Sequence, residues 1–143
     1  MWKILGKILF WMAWPALFVY LKIGTRTRIA VFVGDEVLVV RPWMGSGKWI
    51  LPGGGLHAKE KPIEGVLREL KEETGLKINS ENVQASGKKR TTNSGISADY
   101  YLFKSKLSKK QSLQKQKLEI IEAKWLKIER AKRDISELAD LIK

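Results

Sequence analysis

Arg28 to Val33 and Glu36 to Arg41 are two apolar stretches rich in β-branched residues, separated only by Gly34-Asp35. Runs of this kind across a Gly-Asp pair predict two strands joined in a hairpin. Lys48 to Leu51, Asn82 to Arg90, Ala98 to Leu107 and Leu118 to Ile128 supply further strand candidates. At Pro62 the period changes. Ile63, Val66, Leu67 and Leu70 fall at i, i+3, i+4 and i+7, the spacing of one buried helical stripe, which predicts a helix over Pro62 to Thr74. Pro62 suits its first turn, where a missing N–H costs nothing, and Gly75 suits a left-handed C-terminal cap. Ile135 to Ile142 predicts a closing amphipathic helix.

The N-terminus has a different pattern. Ile8 to Leu21, ILFWMAWPALFVYL, carries no charge, and the wider stretch Ile4 to Ile23 adds only Lys7 and Lys22. As a helix the uncharged part would span ~21 Å, short of a ~30 Å hydrocarbon core. The wider stretch reaches it if the lysines snorkel. Pro15 would kink its middle, and no A-x-A-like cleavage site follows before Gly24. Three readings stand: a membrane anchor, a helix lying in the lipid interface, and an apolar arm buried in a homodimer. The division expected is therefore a hydrophobic N-terminal segment, residues 1–23, and one folded domain, residues 24–143.

Composition narrows the classes. With 143 residues and 44% hydrophobic content, the chain allows one compact domain. The absence of cysteine excludes a disulfide framework and a thiolate metal site. The formal charge is +12, and much of it lies in Lys104 to Lys117, KSKLSKKQSLQKQK, which reads as an exposed, mobile connection between strands. Its functional reading is attraction to anionic lipid or a polyanionic substrate; its plain reading is solubility. No RNA-binding motif with interleaved aromatic residues is present, and RNA stays open as a partner.

The candidate chemistry lies on and just before the Pro62 helix. At ~100° per residue, Glu69, Glu72 and Glu73 gather on one ridge, away from the apolar stripe. Like charges at this spacing repel, whereas a divalent cation with hard-oxygen preferences removes the objection. Gly65, one turn before Glu69, reads as room for an incoming ligand. Ahead of the helix, Trp49-Ile-Leu-Pro-Gly-Gly-Gly55 runs a short apolar strand into a glycine loop. Glycines let backbone N–H groups approach phosphate without steric cost, which makes Gly53, Gly54 and Gly55 candidate substrate contacts. Arg41, Trp43 and Trp49 flank the loop and read as packing. His57, the single histidine, reads as solvent-exposed.

Gly54 to Leu76 follows one pattern throughout: Gly54, five residues, Glu60, seven residues, then Arg68-Glu69-Leu70-x-Glu72-Glu73-x-Gly75-Leu76. This resembles, position for position, the signature of the Nudix hydrolases. The resemblance implies a fold of the α/β (α+β) class, an αβα sandwich with a mixed sheet. It implies hydrolysis of the pyrophosphate bond in a nucleoside diphosphate linked to another group, with Mg²⁺ or Mn²⁺ bound at the signature. Carried across residue by residue, Glu69, Glu72 and Glu73 are the expected metal ligands, and Arg68 with Glu60 the pair holding loop against helix. Similar proteins often place an extra carboxylate before a tryptophan such as Trp125, here Glu119 or Glu122, of which Glu122 is the choice. Members differ in which carboxylate takes the proton from water, so the base stays open. No proline follows Pro62, unlike ADP-ribose-cleaving members. Nucleotide and Mg²⁺ supply places the catalytic domain in the cytoplasm, attached to the membrane by residues 4–23. The competing class is a non-catalytic module that senses a nucleotide or a diphosphate lipid on the same fold.

Overall fold

The structure, a computed structural model, describes residues 24–93, 96–115 and 118–143. The hydrophobic segment 1–23, with its expected helix, lies outside the described residues. Among the described residues no helix is long and apolar enough to cross a membrane.

The first two strand candidates form the expected hairpin, β1 (Arg26–Val33) and β2 (Glu36–Pro42). Gly34 supplies the left-handed turn with φ 58°. Helix α1 (Pro62–Thr74) follows, capped by Gly75 at φ 76°, and then come β3 (Gln84–Asn93), β4 (Ile96–Lys106) and β5 (Ile120–Lys127). The chain closes with two single-turn helices, α2 (Ile128–Ala131) and α3 (Leu138–Leu141). The five strands form one mixed sheet in the order β3-β4-β1-β2-β5. β1 and β4 run parallel, from Arg26 opposite Tyr100 to Phe32 opposite Lys106; the other pairs are antiparallel.

Alternation along β1 sends its side chains to two cores. Ile29 and Val31 meet Leu38, Phe103 and the α1 stripe of Val66 and Leu70 on one face. Ala30 and Phe32 meet Trp49, Leu102 and the C-terminal residues Ala131, Ile135, Leu138 and Leu141 on the other. Fully burying a Leu or Val contributes about 1.5–3 kcal/mol, so Val66 and Leu70 anchor α1 on the sheet, with Ile63 and Leu67 packed beside them. The result is the αβα sandwich that the resemblance implies.

Three elements depart from expectation. Lys48 to Leu51 is no strand: only Ile50 pairs, in a single bridge to Val40. The closing helix is cut to Leu138–Leu141, because the tail follows the sheet in turns that bring Ala131, Ile135, Leu138 and Leu141 inward. The lysine-rich segment is anchored at several points. Lys104 to Lys106 belong to β4, the Gln114 N–H reaches Thr74 O at 2.7 Å, and Trp125 Nε1 donates to Gln111 O at 3.3 Å.

The hairpin strands diverge from their turn. β1 meets β2 only at Phe32 opposite Val37 and Val33 opposite Glu36. Towards its start β1 is paired instead with the glycine loop: the Ile29 N–H donates to Pro52 O at 2.9 Å and the Thr27 N–H to Gly54 O at 2.8 Å. On the other side Ile50 and Val40 exchange two bonds of 2.9 Å. Residues 50–55 are thus wedged into the gap between two strands, and this places the site.

Candidate active site

Glycine is obligatory at one place in the wedge, Gly53, and closely confined at the next, Gly54. Gly53 has φ 144°, and a Cβ there would stand 2.0 Å from the Thr27 carbonyl oxygen. A Cβ on Gly54 would stand 2.7 Å from the Glu69 carboxyl carbon. The loop is therefore pressed between β1 and α1 with no thickness to spare. Its Gly53 N–H donates to Glu73 Oε2 at 3.0 Å, so it orients a carboxylate directly. Gly65 is required for a different reason from the one its sequence position suggested. A Cβ there would meet Leu56 Cδ2 at 2.3 Å and Glu60 Oε1 at 3.0 Å, so the space serves loop packing.

Arg68 ties loop and helix together. Its Nε and one terminal nitrogen grip Glu60 at 2.8 and 3.0 Å, a bidentate pair, and that same terminal nitrogen donates to Gly55 O at 3.1 Å. The other terminal nitrogen lies 3.0 Å from Glu69 Oε1 and 3.4 Å from Glu72 Oε2. The Arg68 hydrogen bond, followed by the His57 N–H, holds the Glu60 carboxyl down from 4.5 to about 2. Reciprocally, Glu60 raises Arg68. The His57 side chain is exposed, as expected.

Glu69 and Glu73 are buried, at 4% and 6% exposure, and both line a cavity of about 400 Å³. Gly53, Gly54 and Gly55 line it too. Glu72 sits outside that lining, half-exposed beside Arg68. Arg26, Arg28 and Lys48 bring positive charge to the cavity walls. Arg26 and Arg28 are two apart on β1 and share a face, a period-two signal legible in the sequence but overlooked there.

Glu119 also reaches the cavity, whereas Glu122 does not line it. Glu122 pairs with Arg41 at 2.7 Å. A register shift between Arg41 and Pro42 sets Glu122 opposite Arg41 and Ile120 opposite Pro42, leaving Glu119 at the strand entrance. Trp49 is buried and stacked beneath Arg41 and Lys124, which confirms it as packing; Trp43 is exposed.

Among the described residues, no three acidic or histidine side chains stand ready-gathered around one metal position. The donor set nevertheless suits a hard dication. Two buried carboxylates one helical turn apart, held by a guanidinium and an N–H, offer the partial oxygen shell that Mg²⁺ completes with water and phosphate. A second recess of about 410 Å³ adjoins through Arg28, Lys48 and Ile50 and is bounded by Tyr100, Ser136 and Glu137.

A mixed sheet between helical layers, with a glycine loop clamped on an acidic helix, defines the class as an αβα sandwich in which carboxylates and basic residues line one cavity. Comparison with known proteins makes this specific. The family description "NUDIX domain" matches residues 24–143, and the chain belongs to the Nudix family. Nudix hydrolase 6 of Arabidopsis thaliana is 36% identical over 112 residues, 76% of this chain and 40% of that protein. The RNA pyrophosphohydrolase of Zymomonas mobilis is 68% identical over 28 residues, 20% of this chain and 18% of that protein. The chain thus spans well under half the length of these curated relatives. Among solved structures, the Nudix domain of Shewanella oneidensis NrtR with ADP ribose superimposes with a TM-score of 0.71 at 20% identity, covering 82% of each chain. A C. elegans Ap4A hydrolase gives 0.70 at 17% identity, covering 83% of this chain and 95% of the other. At these identities the structural likeness establishes the fold.

Proposed function

We propose that the chain is a divalent-metal-dependent pyrophosphohydrolase acting on a diphosphate that links a nucleoside, or a comparable group, to a second moiety. The observation that carries this reading is the pair of buried glutamates, Glu69 and Glu73, facing Arg26, Arg28 and Lys48 across one cavity. Negative charge on one wall suits a dication, and positive charge on the others suits the phosphates.

Glu69 and Glu73 would hold the metal, with Glu72 joining them by leaving Arg68. When bound, Mg²⁺ or Mn²⁺ supplies charge neutralisation of the anhydride and a lowered pKa for attacking water. The remaining work falls to the chain. Arg68 and the Gly53 N–H keep the two carboxylates fixed before substrate arrives, which lowers the reorganisation needed in the transition state. Arg26, Arg28 and Lys48 bind and orient the phosphates, and the recess beside Tyr100 accepts the group beyond them. Glu119, on the cavity wall, takes the proton from water. Names among the similar proteins support the substrate class: ADP ribose and Ap4A contain phosphoanhydride bonds, and a third relative is named an RNA pyrophosphohydrolase. Residues 4–23 attach the enzyme to the membrane, with the catalytic domain in the cytoplasm.

The test is turnover of a panel of nucleotides and diphosphate-linked compounds with Mg²⁺ or Mn²⁺, products being identified by mass. Glu73→Gln replaces a hard anionic ligand by a neutral amide and is expected to lower the rate at least ~100-fold. An unchanged rate, or no turnover of any phosphoanhydride by the unaltered protein, refutes the proposal.

A further inference from the structure

The chain enters its folded domain at the mouth of the cavity. Arg26 lines the cavity, and Thr25 O accepts the Leu56 N–H at 3.2 Å, so residue 24 stands at the rim. The apolar stretch Ile4 to Ile23 ends three residues before Arg26, and three residues reach at most ~11 Å. Wherever that stretch is held, the mouth is held beside it.

The rim also carries large apolar side chains facing solvent. Met44, which lines the cavity, is 79% exposed, and its neighbour Trp43 is 72% exposed. The Trp43 N–H donates to Glu119 O at 2.7 Å, which brings Leu118, 99% exposed, to the same border. Packing does not account for these three, since each is largely outside both cores. Positive charge is present on the same border: Arg26, Arg28 and Lys48 line the cavity, and Lys115 Nζ bonds Ile121 O at 2.8 Å in the strand that Leu118 leads into, whereas Lys104, Lys106 and Lys110 stand towards the other end of the sheet.

We propose that Trp43, Met44 and Leu118 rest in the headgroup region of an anionic bilayer, with the cavity mouth turned to the lipid surface. Tryptophan favours that interface, the basic residues of the cavity border favour its charge, and the apolar N-terminal stretch ends within reach of it. RNA would share the charge but has no use for exposed Met and Leu. Only the consequence for substrate rests on the hydrolase reading: the diphosphate would be carried by an amphiphile presented at the surface.

The chain has no cysteine, so one introduced thiol carries a unique spin label. Met44→Cys and Leu118→Cys place it on the rim. Ser80→Cys places it at the opposite end of the sheet, where Asn82 O holds Ser105, a β4 residue paired with Val31 near the end of β1. Full-length protein is mixed with vesicles of phosphatidylcholine alone or of three parts phosphatidylcholine to one part phosphatidylglycerol. Anionic vesicles are expected to raise oxygen collisions and lower collisions with a water-soluble nickel chelate several-fold at positions 44 and 118, with no change at 80. No change on the rim, or equal change at all three positions, overturns the proposal. So does a rim label already immobilised without lipid, the result of cover by residues 4–23 or by a second copy, or one that responds to RNA and not to vesicles. No turnover is measured, so failure of the hydrolase reading and failure of this one are separable.

Discussion

Three consecutive glycines should answer the same substitution in three different ways. In Gly53→Ala the new Cβ stands 2.0 Å from a backbone oxygen, and φ 144° is itself strained for any L side chain. The strain costs about 1–3 kcal/mol. Relief requires the loop to withdraw from β1, which endangers the Gly53 N–H bond to Glu73, worth about 1.5–3 kcal/mol as a bond to a charged group. The expected loss is about 3–5 kcal/mol, a fall in Tm on the order of 10–20 °C. In Gly54→Ala the obstacle is a carboxylate, 2.7 Å away, that can move. Stability should fall by about 1–2 kcal/mol, while displacement of Glu69 lowers turnover about 10- to 100-fold. Gly55→Ala meets nothing within 4 Å and should leave Tm and turnover nearly unchanged. Thermal unfolding followed by circular dichroism, with Mn²⁺ uptake followed by electron paramagnetic resonance, separates the three. Equal effects at the three positions, or a Gly53→Ala protein as stable as the parent, would refute the wedge.

Acid sensitivity follows from the Glu60–Arg68 pair. Glu60 has its carboxyl lowered from 4.5 to about 2, so its contribution is complete above about 4.5 and is lost as pH falls towards 2. With the pair partly open to solvent, this amounts to on the order of 1–3 kcal/mol; urea midpoints measured across that window should flatten in Glu60→Gln, and an unaltered acid slope would contradict the assignment. Arg68→Lys keeps the charge but loses the two-pronged grip, so it should still destabilise by about 1–2 kcal/mol in the same urea assay, against no change if charge alone matters. Glu119→Gln should lower turnover at least ~10-fold across the pH profile, whereas Glu122→Gln should stay within about twofold; the opposite order would return the role to Glu122.

The parts of this architecture that were readable in the sequence are those governed by local period. The α1 stripe, its Pro62 start and its Gly75 cap follow from spacing alone, as does the hairpin across Gly34. Long-range placement was not readable. The resemblance offers Glu119 or Glu122 before Trp125, with Glu122 the choice, whereas Glu119 is the one that reaches the cavity; the register shift at Arg41 and Pro42, which separates them, depends on pairing with a distant strand. The short run Lys48 to Leu51 had strand-like composition, yet within it only Ile50 pairs, with Val40, because the chain then crosses the gap between the diverging strands to bond β1 at Pro52 and Gly54. Spacing put Glu69, Glu72 and Glu73 on one ridge, but burial divides them: two face the cavity and the third turns to Arg68. Gly65 reads in the sequence as room for a ligand, whereas the space it leaves is taken by Leu56 and Glu60 of the loop, a long-range contact that spacing on the helix does not reveal.

The splayed hairpin has a further consequence. Because residues 52–54 complete the hydrogen bonding of β1 at Thr27 and Ile29, any insertion that lifts them away would bare part of a sheet edge in the middle of the molecule. Such an edge is a template for other chains. Lengthening this loop to accommodate bulkier compounds would therefore invite self-association before it changed selectivity, and diversification is expected in the rim segments instead.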